Sequence, residues 1–541
     1  MAEELAFARK ASGLVRGLSM TDAFAVGFMN QGITPSIWTM ITWGLGTYLT
    51  GNLFWATVIS LLMVGFGFPL VWGILSGSMP RSGGEYIYNS RIINPIVAIA
   101  ESFGNAFVMI FWVYILAPWV ADPGLVIIAE YQGWDWLYNV DSGEFFGLFS
   151  YEWGVFIVAT ITNVIAFLTM VFGVKIFALI QKGVMIFALG GAAVVTGALT
   201  FTSKASIAES WDKFAAEYDS LTYAEVVPAV SAAIGEAVPT SSTLYGTLGV
   251  MVAGSWLFAY AYFCVFVAGE VKRPDKTLIA ANFVAVLVPA LLMIWTSLAM
   301  YRVMDFDFIS ATAWIDNNGE LDGYNLPFLP SYMSLAYIAH SNWFVALAAG
   351  GSFMLFCFWY VALSYLAFPR IIFAWGMDRM GPKWFTDISP RWASPVKNYI
   401  LCFVLCQAAI ALYTFWIGEY MQGLTVTGME IVSVWGVTTI AALIFPYMKR
   451  SKGIWDSSPY KGWKFLGVPL VSWGALVSLV YLGILFYFLI MTEEMRDSNR
   501  DSWILYAVVW VIGIIWYFFW AARSKKVGVD VSMTYGELPP E

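Results

Sequence analysis

The stretch Asn30-Gln31-Gly32-Ile33-Thr34-Pro35 lies inside an apolar run covering residues 18–42, approximately. Two of its residues work against a continuous helix. Pro35 lacks a backbone donor, and Gly32 tolerates dihedral angles that other residues avoid. In hydrocarbon, an interrupted helix persists only where it is packed in protein or lines a cavity. The freed N–H and C=O groups then need partners, and a bound ligand can supply them. A simple proline kink is the plainer reading of the same residues.

The rest of the chain tells which solvent surrounds this run. Its 541 residues are 60% hydrophobic and 12% charged. Soluble domains carry about 45–50% apolar and about 25% charged residues. A folded interior cannot hide that excess, and mean hydropathy is +0.71. A polytopic, all-α membrane protein follows, with the lipid bilayer as its first partner. A soluble enzyme, a disordered scaffold and a disulfide-stapled secreted domain are excluded. The net charge of -8 argues against nucleic acid, because phosphate binding needs a basic stripe. Cys264, Cys357, Cys402 and Cys406 sit in apolar runs and read as small hydrophobes. His340 is the single histidine, so no histidine cluster can hold a metal, and no cofactor is expected.

A hydrocarbon core of about 30 Å needs about 20 apolar residues per helix. Twelve runs qualify: 18–42, 51–77, 95–121, 150–172, 174–200, 246–268, 278–303, 342–375, 397–417, 427–448, 466–491 and 503–522. Most of the 28 lysines and arginines fall in alternate connections, among them Arg9 to Arg16, Lys272 to Lys276, Arg370 to Lys397 and Lys449 to Lys464. The positive-inside rule places those connections, and both termini, in the cytoplasm. An even number of spans agrees with that. The opposite loops are acidic and read as a solvated face. The chain thus divides into a cytoplasmic segment 1–17, five spans over 18–200, an external loop 201–245, five spans over 246–448, two more over 449–522 and a tail 523–541. The loop is long enough for short helices of its own. The tail is short and polar and is expected to be disordered.

A second interruption is expected in the sixth span. There Ser255-Trp256-Leu257-Phe258-Ala259-Tyr260-Ala261-Tyr262 precedes Gly269-Glu270-Val271-Lys272-Arg273-Pro274. It lies five spans after the first interruption, and an odd offset inverts the second half. Paired broken helices in two halves point to a transporter's midplane site. Ordinary aromatic packing competes with this reading, since 18% of the chain is aromatic.

Four stretches resemble the amino acid–polyamine–organocation (APC) superfamily of transporters: Asn30 to Pro35; Pro80-Arg81-Ser82-Gly83-Gly84-Glu85-Tyr86-Ile87-Tyr88 with Arg91; Trp256 to Pro274; and Pro369 to Phe385. The second is the most specific. The resemblance implies a LeuT-like fold of twelve helices: a 5+5 inverted repeat with helices 1 and 6 broken, and two peripheral helices. It implies a substrate carboxylate at Gln31, Gly32 and Ile33, and an ammonium and side chain among Trp256, Leu257, Phe258 and Ala259. Phe28 would lie on the pocket floor, and Trp256 matches an aromatic gate. Half-helix dipoles suit both charges. Two departures stand out: Asn30 replaces the first glycine of the helix 1 motif, and Tyr260 replaces the glycine of the helix 6 break.

Coupling needs an ion whose occupancy favours one conformation. By the resemblance, Lys182 in the fifth span stands for the amine that some members use in place of sodium, and Ser364 is a sodium-ligand candidate. The plainer reading of Lys182 is a snorkelling lysine. Glu101, an intramembrane carboxylate, is the proton candidate; Asp22 and Glu430 read as helix-end residues. An Arg16–Asp378 ion pair is the candidate inner latch. There is no P-loop for ATP. The function expected is secondary active transport of an amino acid, leaning neutral, apolar or aromatic, or of a related amine, coupled to Na+ or H+, at the cytoplasmic membrane. This lean follows from Tyr262, which stands where a related exchanger carries an acid. The alternatives are a non-transporting sensor on the same fold and a polyamine exchanger; a membrane enzyme has no His/Asp/Glu cluster to support it.

Overall fold

The computed structural model describes residues 16–392, 394–417, 428, 430–492, 500–528 and 531–539. Nearly all of segment 1–17, and the start of the tenth expected span, lie outside these residues. Among the described residues, ten helices are long and apolar enough to cross a membrane. They run Leu53–Ser78, Pro95–Gln132, Tyr151–Val171, Val174–Thr200, Leu244–Glu270, Pro274–Val303, Trp343–Met377, Val396–Trp416, Leu470–Met491 and Trp503–Lys526. The first expected span is split into shorter pieces, and the tenth appears as a π-helical turn, Ile431–Val437, continued by Thr438–Ile444. The short strands form two hairpins.

Burial sorts these helices into layers. The sixth span is wholly inside, with 100% of its apolar window buried, whereas Trp503–Lys526 has 17% buried. The last helix turns its apolar surface outward, as lipid contact requires. Across the central layer, Gly27 meets the sixth span so closely that a Cβ there would lie 2.2 Å from the Ala261 carbonyl oxygen.

The first span breaks where its sequence directs. Met20–Met29 opens on a capping box between Ser19 and Asp22. It ends at Asn30, and Gly32 adopts left-handed dihedrals, φ 52 and ψ 63. A new helix, Ile33–Thr39, follows at once. Pro35 falls in its first turn, where no intrahelical donor is required. Pro35 therefore starts a second half-helix and does not kink a continuous one.

The sixth span behaves differently. Trp256, Leu257, Phe258 and Ala259 remain in the α-helix Leu244–Ala259, and from Tyr260 to Glu270 the chain runs in 3-10 turns that kink at Val267, φ -110 and ψ 20. The change comes later than the resemblance implies, and it is a tightening instead of an opening. Tyr260 supplies the reason: without glycine, left-handed dihedrals are costly, while 3-10 bonding keeps most backbone groups paired. The 3-10 turns and the kink at Val267 mark a segment of altered helical pitch.

The loop 201–245 carries the helices Lys204–Glu217 and Tyr223–Ile234. The tail departs from expectation. The last helix continues to Lys526, a short helix covers Val531–Thr534, and Tyr535 is buried. The Tyr535 ring lies 5.2 Å from the Arg91 guanidinium, and its hydroxyl is 3.2 Å from that of Tyr86. A polar segment orders here because an aromatic ring finds a cation and a hydroxyl on the basic-loop face.

Candidate functional site

A narrow cavity of about 20 Å³, room for little more than one water in this closed form, lies at the break in the first span. Gln31, Gly32, Pro35 and Ser36 form one wall, and Trp256 and Tyr260 face them from the sixth span. Trp112, Leu116 and Trp119 from the third span close one side, and Phe356, Cys357 and Tyr360 from the eighth close another. Of the six aromatic residues in the lining, four pack ring against ring around it. Trp112 lies 5.1 Å from Trp256, 5.8 Å from Tyr260 and 5.5 Å from Tyr360, and Tyr260 lies 6.0 Å from Tyr360.

The polar groups come from the break. Gln31 Nε2 donates to the Ala285 carbonyl at 2.6 Å, which anchors the break to the seventh span. Ser36 Oγ donates to the freed Gln31 carbonyl at 2.5 Å. Ile33 and Thr34 begin a helix, so their N–H groups have no acceptor within it. Asn30 is fully buried, and neither polar atom of its side chain has a hydrogen-bond partner. Among the described lining residues none is charged. The cavity is therefore an aromatic box beside the start of a half-helix, with Gln31 and Ser36 as the polar residues of its wall.

Of the residues singled out in the sequence, Gln31, Gly32, Trp256 and Tyr260 line this cavity. Phe28, Ile33, Leu257, Phe258 and Ala259 are buried around it without lining it. Phe28 supports it from behind, 6.4 Å from the lining Phe356. Ser364 lies one turn below Tyr360 and returns its hydroxyl to that residue's carbonyl at 3.3 Å. Lys182 lies at the basic-loop end of its helix, 2.9 Å from Asp22 of the first span. Glu101 is fully buried and accepts from Asn89 Nδ2 at 3.4 Å. Tyr262 packs on Trp72, 4.9 Å away, and is not among the lining residues.

Other positions were hidden from one-dimensional reading. Trp112 and Trp119 are two turns apart on one face, a pattern that ordinary packing also produces. Tyr360 carries no local signal at all. Glu430 is fully buried, and its carboxylate accepts the Tyr260 hydroxyl, so it is more than a helix-end residue. An acid thus stands directly behind the cavity wall, although none lines it.

Both ends of this region are closed. Toward the basic loops, the Gly17 and Leu18 amides donate to the Glu270 carbonyl at 2.9 and 3.0 Å. Glu270 in turn pairs with the buried Arg370 at 2.7 Å. Asp378 is held by Arg91 through two bonds of 2.6 and 2.7 Å and by the Tyr86 hydroxyl at 3.0 Å. The expected Arg16–Asp378 latch is not the pair that forms. Arg16 is exposed, while Arg91 projects from the neighbouring short helix with a planar fork that fits a carboxylate bidentately.

Toward the acidic loops, Trp38, Trp43, Trp119 and Trp256 pack in tilted and edge-to-face pairs, with centroids 5.4–5.9 Å apart. Asp316, on the loop helix Phe306–Asn318, accepts from Trp38 Nε1 at 3.1 Å and from the Thr42 hydroxyl. Burial pushes the Asp316 carboxyl up to about 7, against the two hydrogen bonds, which pull it down. Its folded-state value therefore lies above the usual aspartate value of about 3.9. The associated stability is complete below that value and is lost as pH rises through about 7. The thermal midpoint in detergent should accordingly fall between about pH 5 and about pH 8, and Asp316→Asn should flatten that slope. Equal slopes for the two proteins would refute the assignment.

Comparison with known proteins identifies the family. A search of curated proteins returns no match. The family described as "Amino acid permease" matches residues 18–515, which takes in both interrupted spans and every lining residue of the cavity. The chain belongs to the amino acid permease family of the APC superfamily: it is a multi-pass membrane protein of a family that transports amino acids or amines.

Proposed function

We propose that this permease is a secondary active transporter that moves its substrate across the cytoplasmic membrane by alternating access. In this reading twelve helices cross the bilayer, ten of them form two inverted halves, and both termini are cytoplasmic. The observation that carries it is the cavity at the break of the first span, facing the change of pitch in the sixth. The half-helix start at Ile33 and Thr34, beside the cavity, suits a carboxylate. The faces of Trp256, Trp112, Tyr260 and Tyr360 suit an ammonium or an apolar side chain. With no charge on its described lining, the box favours a neutral, apolar or aromatic amino acid, or a related amine.

Alternating access follows if the two closures open in turn. Trp256 is the gate candidate on the acidic side, and Asp378, latched by Arg91, on the basic side. Lys182 is engaged at the helix start by Asp22, and Ser364 bonds its own helix. Their engagement favours a proton at a buried acid such as Glu101 over sodium as the coupling ion.

A thermal-shift screen of the purified chain against amino acids and amines, with and without sodium and at acid and neutral pH, tests the binding reading. A ligand at about a hundredfold its Kd stabilises the folded state by about 2.7 kcal/mol. Counterflow of the radiolabelled hit in proteoliposomes then tests transport. Binding without counterflow would turn the conclusion to a sensor.

A further inference from the structure

Three glutamates lie fully buried within the bundle: Glu85 at the start of the helix Glu85–Ile92, Glu101 in Pro95–Trp119, and Glu430 just before Ile431–Val437. Trp72 Nε1 and Asn105 Nδ2 donate to the two oxygens of Glu85 at 3.0 and 3.3 Å. Asn89 Nδ2 donates to Glu101, and the Tyr260 hydroxyl to Glu430. The Trp112 indole also lies against Glu430. Asn89 and Asn105 lie one turn beyond Glu85 and Glu101 on their own helices and each donates across to the other acid, and Asn89 also donates at 3.0 Å to Thr438 of the segment that follows Glu430, so the three acids share one buried region.

Two independent features mark this cluster. The first is charge. Among the described residues, no Lys, Arg or His forms an ion pair with any of the three. Arg91, on the same helix as Glu85, is taken by Asp378. The other titratable groups facing the cluster are Tyr260, Tyr262 and Tyr506, all neutral phenols, of which Tyr260 alone donates to it. Uncompensated carboxylates inside a membrane are costly and usually functional.

The second feature is unmet hydrogen bonding at the carboxylates and at the amides that contact them. Glu101 Oε1, Glu430 Oε1, Asn89 Oδ1 and Asn105 Oδ1 are all buried acceptors without a donor. An ionised carboxylate can only accept, whereas a protonated one donates. Protons on this cluster would supply the missing donors and remove the charge together.

We propose that Glu85, Glu101 and Glu430 bind the proton that this carrier moves with its substrate, and that the Tyr260 hydroxyl connects the proton site to the substrate cavity. The proposal rests on the transport reading above and names its coupling ion. Tyr260 belongs to both sites: its ring lines the cavity and its hydroxyl meets Glu430. A substrate that shifts this ring changes the bonding of Glu430. By linkage, protonation then changes substrate affinity by the same factor.

Infrared difference spectra of the full chain in liposomes, titrated between about pH 5 and about pH 9, read the cluster directly. The wild type should show the carbonyl stretch of protonated, buried carboxylic acids at neutral pH. Glu85→Gln, Glu101→Gln and Glu430→Gln should each remove part of it and shift the titration of the remainder, because coupled acids titrate as a unit. A wild type without such a band overturns the proposal, whatever the variants do. So do variants that keep the native thermal midpoint and the native spectrum. Proteoliposomes loaded and challenged with radiolabelled leucine, phenylalanine and arginine separate the two readings. An inward proton gradient should raise uptake about tenfold over none, and Glu85→Gln should abolish the difference. Exchange that ignores the gradient overturns the proton site and leaves the carrier standing. Carboxylic-acid bands without any exchange support the site and overturn the carrier.

Discussion

Arg91→Ala is expected to lower stability by about 3–5 kcal/mol, because it leaves Asp378 charged and buried without its partner. The Asp378 side chain is 0% exposed, and Arg91 supplies two of the three hydrogen bonds it receives from side chains. Arg91 also holds the tail, with its guanidinium against the Tyr535 ring and its Nε 3.4 Å from the Glu537 carbonyl. The same substitution should therefore expose the tail to limited proteolysis. Arg91→Lys should recover only part of the loss, since an ammonium cannot fork across both oxygens. Arg91→Ala combined with Asp378→Asn should recover more than half, because the stranded charge is then gone. Unfolding midpoints in detergent measure all three. If the double variant is no more stable than Arg91→Ala, the cost does not come from the buried charge.

Gly27→Ala should be the most damaging single-methyl change in the central layer. Its Cβ would sit 2.2 Å from the Ala261 carbonyl oxygen and 3.3 Å from the Ala285 Cβ. The first of these is backbone, so no rotamer relieves the contact, and the first span must move away from the sixth. Overpacking of this kind costs about 1–3 kcal/mol. The displacement also reaches the cavity, because Gln31 lies one turn further on and donates to the same seventh-span segment. Counterflow should fall about tenfold or more, each tenfold being about 1.4 kcal/mol. Gly183→Ala, where a Cβ meets nothing within 4 Å, should stay within about 0.5 kcal/mol of wild type. Equal losses in the two variants would show a general sensitivity to glycine replacement and not a tight crossing.

The contrast between the two interrupted spans shows how far local sequence reaches. At Gly32 and Pro35 the backbone chemistry is contained in the residues themselves, and the helix restarts there. In the sixth span the resemblance pointed to Trp256–Ala259, yet the pitch changes at Tyr260, where glycine is missing. The length and register of the 3-10 run depend on what it packs against, including the Gly27 face of the first span. The aromatic box was half legible: Trp256 and Tyr260 stood out beside the expected break, while Tyr360 looked like any tyrosine of an apolar helix.

By itself, the sequence determined the membrane environment, the positions of the long spans and the break at Gly32. Each of these depends on residues within about one helix length of one another. Only the tertiary structure decided which partners meet. Arg16 and Arg91 were both available to Asp378, and packing chose Arg91. Glu85, Glu101 and Glu430 lie in three separate stretches, and nothing in their spacing shows that they share one dry interior. Charge pairing and cavity walls are set by helices brought side by side, and hydropathy along a single helix carries no record of its neighbours.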